Sequence, residues 1–120
     1  MQYLLLIYAP EFDSSQVSPE DMALEMKSWT AYTDWLKGKG WYVAGEALQP
    51  VTTATTIRER DGKTLTTDGP FAETKEQLGG YYLVDCANLD EAIEAGSRIP
   101  SVSRGSVEVR PIMSFDEGPS

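Results

Sequence analysis

The secondary-structure signals along the chain predict an α+β domain in which two helices interrupt four strands of an antiparallel sheet. Three observations carry this reading. Short apolar runs lie near the start and the end, two segments have helical spacing with N-cap residues, and an Asp-Gly pair marks a hairpin between them. The chain has 120 residues, which fits one domain, expected over 1–113 with a loose tail over 114–120. With 41% hydrophobic and 24% charged residues, neither disorder nor low complexity is indicated.

Gln2 to Tyr8, QYLLLIY, reads as a strand. Tyr3, Leu5 and Ile7 face one way, and Leu4, Leu6 and Tyr8 the other. Both sets are apolar, so the strand should be covered on both faces. A loop to Ser18 follows, and then a helix with Ser18 as N-cap, Pro19 at its first position, and Glu20 and Asp21 against the positive end of its dipole. Met22, Met26, Trp29, Thr33 and Leu36 form one stripe at helical spacing, and Leu24, Ala31 and Trp35 a second; Gly38 and Gly40 should end the helix.

Trp41 to Gln49 reads as extended chain or a loop around Gly45. Asp61-Gly62 then predicts a two-residue hairpin that pairs Arg60 with Lys63 and Arg58 with Leu65. Tyr81 to Cys86 is another strand. Asn88 caps a second helix with Glu91 completing a capping box, and Leu89, Ala92, Ile93 and Gly96 form its apolar face. Ser106 to Met113 alternates as a last strand.

The order is β-α-β-β-α-β, the ferredoxin-like pattern. Two helices cover one face of such a sheet, yet the first strand and Tyr81 to Val84 are apolar on both. The economical cover for the second face is another copy of the protein, so a homodimer with the two sheets facing each other is expected.

Nineteen acidic and ten basic residues give a formal charge of −9, which argues against non-specific nucleic-acid binding. The apolar run Tyr3 to Ala9 is too short to span a bilayer and has no basic segment before it, so a cytoplasmic protein with no membrane partner is expected. The single cysteine, Cys86, permits no intrachain disulfide and reads as a small buried hydrophobe. The chain has no histidine, which removes imidazole acid–base chemistry and the usual triads. No metal-ligand spacing, phosphate loop or dinucleotide fingerprint is present, and no cofactor is implied.

Chemistry would then rest on carboxylates, Lys, Arg, Tyr or Ser/Thr. Asp68 enters a Gly-Pro corner and has two readings: an Asx-turn, or a carboxylate held at a cleft mouth as general base or ligand acceptor. Glu46 is a second carboxylate, and Arg58 and Arg110 are candidate anion clamps. Glu108 and Arg110 should face the space between sheets if Val107 and Val109 pack on the helices. Lys75 lies in a polar run that reads as a solvated turn or a ligand contact. Gly79-Gly80 suggests a bulge or a close backbone approach. Tyr81 and Tyr82 point to opposite faces, so at most one reaches a cleft.

The stretch TDGPFAETKEQLGGYYLVD, with YLLLIYAPE, VAGEALQP, ATTIRERDGKTLTTDGPF and SVEVRPI, resembles the DGPF-motif group of the YCII-related family over about Met1 to Met113. The resemblance implies a ferredoxin-like fold assembled as a dimeric α/β barrel. It places Asp68, Gly69, Pro70 and Phe71 near the site. The His-Asp pair proposed for YCII-like relatives has no counterpart in a chain without histidine, and Asp34 is given no role. Relatives of this type often occur beside genes for extracytoplasmic-function sigma factors. Two functions are therefore expected in competition. One is a cleft that binds, or turns over, a small polar or anionic metabolite, with Asp68, Arg58, Arg110, Glu46, Lys75, Phe71 and Tyr81 as site residues. The other is a non-catalytic regulatory module for a protein partner.

Overall fold

The computed structural model describes residues 1–10 and 14–115. Residues 11–13 of the expected loop and 116–120 of the expected tail lie outside the described residues. The elements are β1 (Gln2–Ala9), α1 (Pro19–Lys39), β2 (Tyr42–Ala47), β3 (Thr55–Arg60), β4 (Lys63–Asp68), β5 (Gln77–Asp85), α2 (Leu89–Ser97) and β6 (Ser106–Pro111).

Four of the strands form one antiparallel sheet in the order β2-β5-β1-β6, while among the described residues β3 and β4 pair only with each other. Setting the hairpin aside gives the ferredoxin-like order, with each helix crossing over a strand that lies between its neighbours in sequence. The segment after α1, open between strand and loop in the sequence, is the edge strand β2. The hairpin is a separate arm. Its register is the one the Asp-Gly pair demands, Arg60 opposite Lys63 and Arg58 opposite Leu65. Asp61 and Gly62 sit at φ 54° and 75°, the positive values a primed two-residue turn needs.

The helices cover one face. Tyr3, Leu5, Ile7, Val84, Tyr32, Leu36, Ala92, Ala95 and Ile99 make the core, with Val107 and Val109 packed against it. On α1 Met22, Trp29, Thr33, Trp35 and Leu36 are buried or half-buried, as the two stripes predict; Leu24, Met26 and Ala31 are exposed, which corrects those positions, and Glu25 and Tyr32, in neither stripe, turn inward. Tyr32 is drawn inward by its packing partner: its buried hydroxyl donates to the Ala95 carbonyl at 2.6 Å. Only Gly40 caps the C-terminus; Gly38 lies inside the helix.

The face of α2 is also corrected. Leu89 and Ile93 are half exposed, and Ala92, Ala95 and Gly96 are buried. Small residues let the helix lie close to the sheet: a Cβ on Gly96 would stand 3.3 Å from Val107. Both predicted N-caps form, Ser18 accepting from Asp21 N–H at 3.1 Å and Asn88 from Glu91 N–H at 3.0 Å. The Glu91 carboxylate reaches back to the N–H of Ala87, one residue before the cap. Cys86 is a buried free thiol, and burial pushes its pKa up. No helix among the described residues is long and apolar enough to cross a membrane.

Candidate functional site

A cleft of about 780 Å³ opens between α1, the ends of β1, β2 and β5, and the turn between α2 and β6. The alternation of strands explains why the space exists. Leu5 faces Tyr82, and Ile7 faces Gly80, on the helix-covered side. Gly45 faces Tyr82 across β2 and β5, where a Cβ would come within 2.7 Å of the tyrosine ring. At Gly80 a Cβ would come within 2.8 Å of the Glu46 carbonyl. Two glycines therefore let the strands pass close, and the floor of the cleft carries no side chain there. Gly79 is the extra residue of a bulge opposite Ile7 and Tyr8, and its carbonyl accepts from Leu48 N–H at 2.9 Å. The bend expected at Gly79-Gly80 is both a bulge and a close approach.

One wall is aromatic. The Trp29 and Tyr82 rings lie 9° from parallel with centroids 6.4 Å apart, and the Tyr82 hydroxyl shares a 2.7 Å hydrogen bond with Thr33. Burial raises the Tyr82 pKa, partly offset by the Thr33 bond, and the nearby Tyr42 raises it further. The rim beside Trp29 is polar. Arg104 is ion-paired with Glu25, whose same oxygen accepts the Trp29 indole N–H at 3.0 Å. Ser101, three residues before Arg104, lines the cleft with only 4% exposure. Its hydroxyl has no hydrogen-bond partner among the described residues.

The sequence-derived site residues divide between two places. Glu46 and Tyr81 border the cleft, but they pair with each other, and Tyr81 with Leu6, so their side chains stand on the opposite, helix-free face. Arg110 shares that face, in register with Leu4, and is held by Glu108, in register with Leu6. This is the side on which both were expected. Arg58, Asp68, Phe71 and Lys75 belong to the hairpin and the loop after it, outside the cleft lining. Arg58 donates to the Phe71 carbonyl at 3.4 Å. The corner is fixed by Gly69 N–H to the Ala54 carbonyl at 2.7 Å and the Thr56 hydroxyl to the Gly69 carbonyl at 2.8 Å. The Asp68 carboxylate is exposed and makes no hydrogen bond among the described residues, so the Asx-turn is not what holds the corner.

Sequence reasoning missed Glu25, Trp29, Ser101 and Arg104 as a group. Glu25 had a signal: it falls at helical spacing from Met22 and Trp29. Ser101 and Arg104 had none, because a turn far along the chain is brought to α1 only by the sheet order. Among the described residues no group of three or more His, Cys, Asp or Glu is placed to hold a metal ion.

The profile of the YCII-related domain matches residues 1–116. An uncharacterized protein of Rhizobium meliloti is 40% identical over 120 residues, covering 98% of this chain and 97% of that protein.

Proposed function

Because the chain belongs to the YCII-related family, matched over residues 1–116, we propose that it is a small-molecule-binding protein whose ligand occupies the cleft between α1 and the sheet. The observation that carries this reading is the orphan hydroxyl of Ser101 in a cleft whose walls include Trp29, Tyr82, Met22 and Ile7. A mostly apolar cavity with a few polar groups is the usual form of a ligand site. The protein acts as a homodimer. Leu4, Leu6, Tyr8, Tyr81 and Leu83 form a half-exposed apolar strip on the helix-free face, and a second sheet packed on it would complete a dimeric barrel.

A second reading is favoured by the hairpin. Ile57, Leu65 and Phe71 are 68%, 48% and 80% exposed on or beside an arm that is paired only with itself. A two-stranded ribbon alone is marginal in water, so this arm suits a docking role toward a protein partner. A catalytic role for Asp68 needs an assembly in which the corner of one copy reaches the cleft of the other.

A thermal-shift screen of small metabolites decides between the readings. A ligand at a hundred times its dissociation constant stabilises by about 2.7 kcal/mol. Met22→Trp fills the cleft from a half-buried helix position and should abolish the shift. Hits that persist in folded Met22→Trp, or a screen with none, would turn the assignment toward the docking arm.

A further inference from the structure

The cleft's unused hydrogen-bonding capacity restricts what can fill it. Its polar side chains include Glu25, Ser101, Arg104, the Tyr82 hydroxyl, Gln49 and Gln77. Tyr82 is committed to Thr33, and one Glu25 oxygen already takes both Trp29 and Arg104. That oxygen holds the guanidinium through one of its terminal nitrogens. The remaining N–H groups of Arg104 donate to nothing among the described residues. Arginine presents five donors in a rigid fork and no acceptor.

The second uncommitted group is the buried Ser101 hydroxyl. It belongs to the same turn, closed by Arg104 N–H to the Ser101 carbonyl at 3.0 Å. A buried hydroxyl left unpaired is costly, so its retention beside a cleft points to a partner that arrives. Arg104 can only donate and Ser101 can donate as well as accept, so Arg104 sets the demand for a ligand rich in acceptors at that end. Around them the near-parallel Trp29 and Tyr82 rings, Met22 and Ile7 call for a flat apolar body.

Resting on the ligand-cleft reading, we propose that the cleft binds a small aromatic carboxylate, its ring beside Trp29 and Tyr82 and its carboxylate on Arg104 and Ser101. Glu25 is a positioning residue: it holds the guanidinium fork toward the ligand and its own charge is balanced by that pairing. A carboxylate accepts two parallel N–H bonds from such a fork, which a carboxamide cannot match and an ammonium opposes.

Calorimetric titration of the full chain with 1-naphthoate, 1-naphthamide and 1-naphthylmethylamine tests this on one ring system. Naphthoate should bind at least ~10-fold more tightly than naphthamide, with the amine weakest. Arg104→Gln, at an exposed turn, should erase that preference by weakening naphthoate binding far more than naphthamide binding, while Arg104→Lys retains part of it. Equal binding of acid and amide, or tighter binding of the amine, overturns the carboxylate assignment and leaves the cleft reading standing. Naphthoate binding undiminished in Arg104→Gln overturns it equally. Failure of all three to bind wild type at millimolar concentration overturns it too, and the metabolite screen with Met22→Trp then judges the cleft separately.

Discussion

The two faces of β1 have nearly the same composition and different surroundings. Tyr3, Leu5 and Ile7 are buried beneath the helices, while Leu4, Leu6 and Tyr8, one residue out of phase, are only half covered. The neighbouring strand repeats the contrast: Tyr82 is engaged with α1, and Tyr81 stands on the other side beside Leu6. Alternation makes the faces, and the supply of helices decides which one is satisfied within a single chain. The half-exposed apolar strip is then where the proposed second copy would pack.

Paired substitutions on β1 give the largest expected effect. Leu5→Ala removes a side chain with 0% exposure and should cost about 3 kcal/mol in urea unfolding, whatever the protein concentration. Leu6→Ala removes a half-exposed one. In a dimer its cost should be largest at high concentration and shrink as the protein is diluted toward the monomer, because the interface contributes to stability by mass action only while the copies are associated. An effect of Leu6→Ala that is small and the same at all concentrations would remove the second copy from the helix-free face.

The covered face also has a pH signature. The Tyr32 hydroxyl is held far above its ordinary pKa of 10.0, first by burial, then by Tyr82 and Cys86. Tyr82 and Cys86 are themselves raised by burial. A raised folded pKa means that the unfolded chain loses its proton first. The contribution is therefore intact below pH 10 for the tyrosines and is lost as pH climbs past it. The melting temperature should fall steeply on the alkaline side. Tyr32→Phe should flatten part of that fall, and at neutral pH should cost about 1–2 kcal/mol for the Ala95 carbonyl left without its bond. An unchanged alkaline profile in Tyr32→Phe would mean that other groups drive the loss.

What the sequence made legible follows the same division. Local chemistry was readable: Ser18 and Asn88 cap their helices, and Asp61-Gly62 sets the hairpin register residue by residue. Alternation was readable too, since Val107 and Val109 pack on the core and Glu108 and Arg110 face away. The inward turn of Tyr32, which lies in neither predicted stripe of α1, was not, because its partner, the Ala95 carbonyl, comes from a distant helix. Ser101 and Arg104 were invisible for a related reason. Their meaning depends on Glu25 and Trp29, more than seventy positions away, and no local pattern announces such a meeting. The motif stretch from Thr67 to Tyr82 drew attention by its bends, and its two ends serve different places: Gly79 to Tyr82 build the cleft, while Asp68 to Phe71 shape the arm.

The smallest expected effect sharpens the comparison at its one unsatisfied point. Ser101 is the buried hydroxyl on the covered face that has no partner among the described residues. Replacing it with alanine removes the desolvated oxygen and changes the packing little. Ser101→Ala should therefore stabilise the ligand-free protein by about 1 kcal/mol, a rise in melting temperature of roughly 4 °C for a domain of this size. A core residue retained for stability would behave in the opposite way, since losing a hydrogen-bonded serine lowers the melting point. A fall in Ser101→Ala would show that the hydroxyl is bonded in the free protein, and the case for a ligand there would then rest on Arg104 alone. A rise, together with weaker naphthoate binding, would mean that the helix-covered face gives up stability at this position to hold a ligand.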